Sequence, residues 1–220
     1  MPETIVIKNL LPAVFAGMEE TEKIRSSQIW GEHSFTFRRG CKWCIQAESG
    51  SGKSSLLHFI FGLRTDYHGE ILFDGTNVRT LNVTQWCDIR TRHIAVLPQN
   101  MGLFPELTVA QNIELKNNRT HHKTPQEINR LLERVGLADK RDVAAGKLSI
   151  GQMQRVALVR TVCQPFDFIF LDEPVSHLDA RNNQIVADII GEEATRQGAG
   201  VVATSVGNHL LLDGAQFISL

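Results

Sequence analysis

The sequence predicts an α/β protein with a parallel sheet flanked by helices, and three features lead to this prediction. Phe168–Leu171 is a continuous apolar run, as expected of a parallel strand that is buried on both faces. A glycine- and serine-rich loop at Ala47–Ser55 separates an apolar strand from an amphipathic helix. The last third of the chain alternates strands with helices, which is the pattern of an open α/β sheet.

The N-terminal third is predicted to be rich in strands and the middle of the chain to be helical. Polar and apolar residues alternate at Thr4–Lys8 and at Ser34–Arg38, and Gly69–Gly75 is a short strand that ends in an Asp-Gly turn signal. Thr124–Glu127 is a capping box with proline at the first helical position, and Gly136 is the predicted stop.

The remaining segments complete the predicted order of elements. A helix is expected from about Asp179, with Gly198 after its end, and Gly200–Thr204 is expected to be a buried strand. The polar segment Asn117–Lys123 lacks periodicity and is predicted to be an exposed loop. It contains two adjacent histidines, and such pairs in a solvated loop usually bind no metal.

Length and composition indicate an ordinary globular protein. The chain has 220 residues, of which 42% are hydrophobic and 21% charged, so we expect one domain with an embedded subdomain. The formal net charge of −1 gives no strong attraction to nucleic acid or anionic lipid. The N-terminus lacks a signal peptide pattern and the apolar runs are too short to cross a bilayer. We therefore expect a cytoplasmic protein that, if it works at a membrane, is held there by another protein.

Cys41 and Cys44 form a C-x-x-C pair, a pattern found at metal and redox sites. The pair lies in a predicted strand, where residues three apart point to opposite faces, so the two sulfurs should diverge. Cys87 and Cys163 provide no second pair. The interpretation as ordinary free thiols in a reducing compartment is therefore preferred.

The loop at residues 47–55 is predicted to bind phosphate groups. Gly50 and Gly52 allow backbone N–H groups to approach the phosphates, and the N-terminus of the following helix adds partial positive charge. Lys53 can reach the β- and γ-phosphates, and the Ser54 hydroxyl can ligate Mg²⁺. Such loops usually begin with glycine, so Ala47 is tolerable here only with a negative φ. The candidate nucleotide-binding residues are Ala47, Glu48, Ser49, Gly50, Ser51, Gly52, Lys53, Ser54 and Ser55.

Asp172 and Glu173 directly follow the apolar run of residues 168–171. This position is the carboxyl end of a predicted parallel strand, where open α/β sheets bind their ligands. Asp172 is expected to hold Mg²⁺ through water. Glu173 is expected to orient or deprotonate the attacking water, so the pair predicts phosphoryl-transfer chemistry.

Leu148–Gln152, with the following Met153–Ala157, closely resembles the signature sequence of the ABC transporter ATP-binding family. Other landmarks of that family occur in order along the chain. Pro98-Gln99 resembles the Q-loop, Leu103–Val109 resembles the stretch that lines the groove for the transmembrane partner, and Ser176–Asp179 resembles the D-loop. The resemblance therefore covers essentially the whole chain.

The resemblance implies a P-loop NTPase core of the ABC-ATPase type. It also implies an N-terminal antiparallel β-subdomain and an inserted α-helical subdomain. On this basis residues 1–98 and 164–220 are expected to form the core with the β-subdomain, and residues 99–163 the helical subdomain. The bound molecules implied are ATP and Mg²⁺.

The family pattern also assigns roles to residues outside the phosphate loop. Ser149, Gly151 and Gln152 are expected to address the nucleotide bound by the other protomer. Gln99 is expected to contact Mg²⁺ or the attacking water. The metal ligands implied are thus Ser54, Gln99 and Asp172, and the catalytic residues implied are Glu173, Gln99 and Ser205.

Two positions depart from the family pattern or leave a choice open. Ser205 stands where the family places a histidine that contacts the γ-phosphate, and His209 lies four residues further on. Phe15 is the best candidate for the aromatic residue that stacks on adenine, with Trp30 as the alternative.

The implied function is that of an energy-coupling ATPase subunit. It would homodimerise, or pair with a second ABC ATPase subunit, and would dock an integral membrane permease near Gln99–Val109. The Phe15–Glu20 and Leu107–Ile113 segments are most similar to the lipoprotein-releasing, macrolide-exporter and cell-division branch. Two alternatives remain, a dimerising sensor with slow or no hydrolysis and a soluble ABC ATPase of DNA repair or translation. No nucleic-acid partner is expected.

Overall fold

The computed structural model describes residues 2–18 and 21–220, with Lys23 described by its backbone alone. The Phe15–Glu20 segment, which resembles the lipoprotein-releasing branch, includes Glu19 and Glu20, and these two lie outside the described residues. The strands are β1 (Thr4–Pro12), β2 (Ser34–Arg38), β3 (Lys42–Gln46), β4 (Tyr67–Phe73), β5 (Thr76–Asn77), β6 (Ile94–Leu97), β7 (Phe168–Asp172), β8 (Gly200–Ser205) and β9 (Gln216–Ser219). The α-helices are α1 (Glu22–Arg25), α2 (Lys53–Ile60), α3 (Val83–Asp88), α4 (Val109–Asn117), α5 (Pro125–Arg134), α6 (Ile150–Val162) and α7 (Ala180–Gln197).

The strands form two sheets, which confirms the predicted mixed α/β class. The first sheet is antiparallel with the order β2-β1-β4-β5. The second has the order β6-β7-β8-β3-β9, and all of its neighbouring strands run parallel. The carboxyl ends of β3, β7 and β8 therefore meet at one edge of the second sheet, where a ligand site is expected.

The parallel sheet carries a hydrophobic layer on each face. On one face Ile169, Leu171 and Val201 belong to a core cluster shared with α6 and α7. On the other face Phe170 and Val202 belong to a cluster shared with α2 and the antiparallel sheet. Every residue of β7 and β8 is buried, which confirms the prediction of strands covered on both faces.

Turn and cap residues define the ends of the predicted elements. The Asp-Gly pair after β4 has positive φ at both residues, 46° and 84°, as a tight hairpin to β5 requires. Thr124 and Glu127 form the predicted capping box of α5. Gly136 has a φ of 67°, and Gly198, with a φ of 60°, ends α7. These local signals are therefore confirmed.

The prediction that Asn117–Lys123 is an exposed loop is wrong at both of its ends. Asn117 is the last residue of α4 and is buried, and Lys123 is only 3% exposed. The Asn117 side chain donates to the Lys123 carbonyl at 2.9 Å and accepts from its N–H at 2.8 Å. The Lys123 ammonium also contacts the Glu193 carboxylate of α7. A buried lysine needs such a partner, and a partner on a distant helix cannot be read from the local sequence.

Candidate active site

The loop between β3 and α2 turns through two glycines. Gly50 and Gly52 have φ values of 77° and 96°, and α2 begins at the next residue, Lys53. Only glycine adopts this conformation without strain, so both positions need it. Among the described non-glycine residues with positive φ, Ala47 is not present. The alanine that replaces the usual first glycine is thus accommodated with an ordinary backbone conformation.

Trp30 supports this loop from the protein core. Its indole Nε1 donates to the Ser51 carbonyl at 3.0 Å, and the side chain is completely buried. A Cβ added to Gly52 would lie 3.1 Å from Trp30 Cζ2 and 3.5 Å from Phe15 Cε2. The structure therefore gives Trp30 a packing position under the loop, where it has no surface on which an adenine ring could stack.

The loop forms one wall of a cleft whose other walls come from distant parts of the sequence. Phe15 lines this cleft, although it is mostly buried, and its neighbour Val14 is 69% exposed there. Of the nine predicted loop residues, Ala47, Glu48 and Ser51 do not belong to the lining. The lining residues are Pro12, Val14, Phe15, Ser49, Gly50, Gly52, Lys53, Ser54, Ser55, Gln99 and Glu173.

Lys53 places its ammonium group at the centre of the loop. Nζ donates to the carbonyls of Ala47 at 3.0 Å and Glu48 at 2.8 Å. The same nitrogen lies 4.0 Å from Glu173 Oε1, and the Lys53 side chain is only 6% exposed. The loop carbonyls thus hold a cation at the N-terminus of α2, and this arrangement suits an anionic ligand.

Asp172 and Glu173 are adjacent in sequence but have different environments. Asp172 is the last residue of β7 and is 5% exposed, and its Oδ1 accepts a 2.6 Å hydrogen bond from the Thr204 hydroxyl. Glu173 instead lines the cleft, where its Oε2 accepts from Gln99 Nε2 at 3.3 Å. The structure thus brings Lys53, Gln99 and Glu173 together, as the sequence motifs predict.

The predicted signature residues lie at the N-terminus of α6 and outside the lining of this cleft. Ser149 is the N-cap, and it forms a reciprocal capping box with Gln152. A Cβ on Gly151 would lie 3.0 Å from the His177 carbonyl, so glycine allows α6 to approach this segment closely. The exposed Ser149 and the cleft of the same chain are therefore separate features.

Ser205 and His209 both contact residues outside the cleft lining. Ser205 is 2% exposed, and its hydroxyl lies 3.7 Å from the Cys44 sulfur, whose pKa is raised by burial. The His209 ring packs edge-on against Phe217, with 5.3 Å between ring centroids. Neither side chain is among the residues that line the cleft, so the structure does not bring the predicted Ser205 hydroxyl to Lys53 and Glu173.

Two residues near the acidic pair were not identified from the sequence. Thr204 contacts Asp172 through its hydroxyl, and that oxygen also accepts from the Glu173 N–H at 3.1 Å. Gln154 of α6 donates to the Glu173 carbonyl at 2.9 Å. The only signal for Thr204 was its position at the end of a buried strand, and Gln154 lies within the signature sequence without an assigned role there.

The donor set of the cleft fits a phosphate-bearing ligand. The left-handed glycines leave the loop backbone uncovered by side chains, and the N-terminus of α2 and Lys53 supply N–H donors and positive charge. The Ser54 hydroxyl and the Asp172 carboxylate are oxygen donors of the kind that Mg²⁺ prefers. The residues present are thus compatible with a nucleotide and its metal ion.

Three further observations concern membrane spans, metals and cysteines. In the described part of the chain, no helix combines the length and apolarity needed to cross a membrane. Among the same residues, no cluster of three or more His, Cys, Asp or Glu side chains is arranged to hold a metal ion. All four cysteines are free thiols, with Cys44 and Cys163 buried.

Comparison with known proteins connects this cleft to a family. The family model described as ABC transporter matches residues 31–176. The chain is 31% identical over 182 residues to the lipoprotein-releasing system ATP-binding protein LolD of Shewanella denitrificans (strain OS217). That alignment covers 81% of this chain and 78% of the relative. The residues matched by the family model include the phosphate loop, the signature sequence and the acidic pair.

Solved structures show the same fold at lower sequence identity. The dimeric structure of MJ0796, a bacterial ABC transporter cassette, matches with a TM-score of 0.75 and 21% identity, covering 98% of this chain and 94% of that one. A post-hydrolysis dimer of that cassette bound to ADP and Pi matches with a TM-score of 0.72 and 23% identity, covering 93% and 88%. A bacterial Atm1-family exporter with ATP bound gives a TM-score of 0.72 and 23% identity, covering 93% of this chain and 34% of the exporter.

Proposed function

The chain belongs to the ABC transporter family, and we propose that it binds and hydrolyses ATP in a head-to-tail dimer and thereby drives a separate transmembrane subunit. One observation carries this proposal. In the cleft, one carboxylate oxygen of Glu173 lies 4.0 Å from Lys53 Nζ, and the other accepts a hydrogen bond from Gln99 Nε2 at 3.3 Å. A cation for the phosphates and a carboxylate for water therefore meet at one place.

The adenine end of the nucleotide is assigned to the apolar part of the cleft lining. Phe15 and Val14 line the cleft there with Pro12, and Trp30 is excluded by its complete burial. Phe15 is mostly buried, and Val14 adds an exposed apolar surface. The base is therefore proposed to pack on Phe15 with Val14 beside it.

Ser54, Gln99 and Asp172 are the proposed magnesium ligands. A bound Mg²⁺ would neutralise charge on the β- and γ-phosphates. Only one carboxylate contributes, and Mg²⁺ commonly uses one or two carboxylates together with substrate phosphates. The chain's own contribution is to hold Asp172 in place through Thr204.

Glu173 is proposed to orient and deprotonate the attacking water. Gln99 Nε2 donates to one carboxylate oxygen at 3.3 Å, and Lys53 Nζ lies 4.0 Å from the other. These contacts keep the carboxylate at the phosphate end of the cleft. A proton taken from water would move to this carboxylate, which faces the cleft and is 18% exposed.

The separation of the signature helix from the cleft supports a dimer. Ser149 and Ile150 are exposed at the N-terminus of α6, with Ile150 52% exposed, and neither lines the cleft of its own chain. A helix N-terminus is a natural site for a phosphate group. In a head-to-tail pair this end of one chain would close the cleft of the other, and the MJ0796 cassette of similar fold is dimeric.

A second cavity is the proposed docking site for the transmembrane partner. It lies beside the Gln99–Val109 segment, and its apolar surface includes Phe104, 53% exposed, and Leu115, 46% exposed. Four cations and no carboxylates are among its lining residues, which are Phe61, Cys87, Arg90, Thr91, Phe104, Leu115, Lys116, Arg119, Arg160 and Gln164. The matching partner segment is a short helix with apolar side chains and at least one carboxylate.

Slow hydrolysis in a nucleotide sensor is the second candidate function. It is favoured by one observation, the burial of Ser205 against Cys44 instead of at the cleft. The presence of Glu173 beside Lys53 favours turnover. A steady-state ATPase measurement with the membrane partner present separates these two functions.

The dimer and the role of Glu173 can be tested with Glu173→Gln. This variant should bind ATP with wild-type affinity, hydrolyse it far more slowly and elute as a dimer with ATP and Mg²⁺ on size-exclusion chromatography. Glu133→Gln, the same change at an exposed position of α5, is the matched control and should behave as wild type. A monomer at saturating ATP, or undiminished hydrolysis, would contradict the proposal.

A further inference from the structure

Glu173 has a backbone conformation that its side chain does not favour. Its φ is 50°, in the left-handed region that residues with a Cβ seldom occupy. Such a conformation persists when the surrounding structure fixes it, and it is concentrated at functional sites. Neighbouring residues must therefore hold Glu173 in this conformation.

Hydrogen bonds fix this residue on both sides. The Glu173 N–H donates to Thr204 Oγ1 at 3.1 Å. Its carbonyl accepts from Gln154 Nε2 at 2.9 Å and from the Ser176 hydroxyl at 3.2 Å. The peptide groups before and after the strained residue are thus both anchored, and the carboxylate is directed towards Gln99.

Gln154 is the only one of these partners that belongs to the signature helix. It is 4% exposed and lies on α6, two residues after Gln152. Its Nε2 contacts Glu173, and its Oε1 accepts from the His177 N–H at 3.1 Å. One amide group therefore joins α6 to two points of the segment that follows β7.

Helix α6 packs closely against the segment that follows β7. A Cβ on Gly151 would lie 3.0 Å from the His177 carbonyl, so there is no room for a side chain between the helix and residue 177. A shift of α6 relative to this segment would break the contacts of Gln154. The position of the signature helix and the backbone of Glu173 are consequently linked through one side chain.

We propose that Gln154 is a positioning residue for hydrolysis, which holds Glu173 in its left-handed conformation and so aims the carboxylate at the attacking water. This inference rests on the proposed role of Glu173 as the base. Gln154 does not line the cleft, so we expect its substitution to leave nucleotide affinity nearly unchanged. Misplacement of a reacting group by about 1 Å can lower a rate on the order of 100-fold.

Gln154→Glu tests this role with little change in shape. The new carboxylate keeps an acceptor for the His177 N–H but removes the donor to the Glu173 carbonyl. We expect kcat to fall about 10- to 100-fold while the ATP dissociation constant from calorimetry changes less than about threefold. Gln184→Glu, the same change at an exposed position of α7, is the control and should keep the wild-type kcat.

A second variant and a double mutant complete the experiment. Gln154→Met is uncharged and of similar length, and it should lower kcat in the same way if the buried carboxylate of Gln154→Glu prevents folding. In the Glu173→Gln background, Gln154→Met should cause no further loss of residual hydrolysis, because the group it positions is already absent. An additive loss would indicate a general packing role and overturn the proposal.

The outcomes separate this inference from the proposed function. Wild-type hydrolysis by Glu173→Gln would remove the role of Glu173 as the base. Loss of hydrolysis in Glu173→Gln together with a wild-type kcat in both Gln154 variants would leave that role intact and refute positioning by Gln154. A parallel loss of ATP affinity and kcat in both Gln154 variants would also refute it.

Discussion

The Thr204 hydroxyl donates a 2.6 Å hydrogen bond to Asp172 Oδ1. The same oxygen accepts from the N–H of Glu173 at 3.1 Å, and Thr204 is only 1% exposed. A single buried group on β8 therefore orients the proposed metal ligand and the backbone of the proposed base. Parallel pairing places Thr204 directly beside Asp172 in the sheet register.

Thr204→Val should lower Mg²⁺-dependent turnover while leaving the shape of the core unchanged. The substitution leaves a buried carboxylate oxygen and a backbone N–H without their partner, which costs about 1–3 kcal/mol. A misplaced Asp172 should also raise the Mg²⁺ concentration needed for half-maximal activity. Thr204→Ser keeps the hydroxyl and is the control. Equal metal titration curves for the two variants would contradict this role of Thr204.

Lys53→Ala should weaken ATP binding severely. The Lys53 side chain is 6% exposed and its ammonium donates to loop carbonyls, so the substitution removes a positive charge from a place that solvent ions reach poorly. Hydrogen bonds to charged groups contribute about 1.5–3 kcal/mol, which corresponds to about a 10- to 100-fold change in the dissociation constant. Calorimetric titration measures it, with the exposed Lys8→Ala as control. Unchanged affinity would refute the phosphate-binding role of the loop.

The parts of the site that could be predicted are contiguous in sequence. The glycines of the phosphate loop, the acidic pair after an apolar strand and the capping box at Ser149 each follow from local rules of turn, strand and helix structure. Gln99 and Glu173 could be paired only through the family resemblance. Their 3.3 Å contact depends on the neighbouring positions of β6 and β7 in the sheet.

The features that could not be predicted depend on long-range contacts. Thr204 reaches Asp172 across two paired strands, and Gln154 reaches Glu173 from another helix. Sequence patterns also do not show how deeply an aromatic residue is buried. From the sequence alone Trp30 is an open candidate for stacking on adenine, whereas in the structure its indole lies under the phosphate loop and donates to the Ser51 carbonyl.

Lys116 should give the protein a stability that increases in alkaline solution. Burial, and then the charges of Arg160 and Arg119, lower the pKa of Lys116 to about 8, while its ammonium donates to Gln164 Oε1 at 2.8 Å. The unfolded chain keeps an ordinary lysine pKa of about 10.4 and binds the proton more tightly. The cost of charging Lys116 is therefore present below pH about 8 and is relieved as pH rises from there towards the unfolded pKa.

Urea unfolding of wild type and Lys116→Met over this pH range measures the effect. The free energy of unfolding of Lys116→Met should exceed that of wild type near neutral pH, and the difference should shrink as pH increases. Lys147→Met is the control, because Lys147 is exposed and does not line the cavity to which Lys116 belongs. A wild-type and Lys116→Met difference that is constant with pH would contradict the lowered pKa.

Ser205→His should increase the rate of hydrolysis. In the wild type the Ser205 hydroxyl packs against Cys44 and does not line the cleft, so the cleft lacks the donor that the family resemblance predicts for a histidine at this position. One missing donor to a transition-state oxygen typically lowers a rate by about 10²–10³-fold. We therefore expect slow wild-type turnover with preserved ATP binding, and faster turnover in Ser205→His, both measured with the membrane partner present.

Ser205→Ala and Ser205→Leu distinguish a new donor from an effect of size. Alanine removes only the 3.7 Å contact with Cys44 and should leave turnover within about twofold, because the hydroxyl is not at the cleft. Leucine adds bulk comparable to histidine but no donor, and extra volume in a packed region costs about 1–3 kcal/mol of stability. Thermal unfolding of each variant therefore accompanies the rate measurement. A fall in turnover for Ser205→Ala would show that the serine hydroxyl itself acts in hydrolysis, whereas a brisk wild-type rate that Ser205→His leaves unchanged would mean that another group already fills this place.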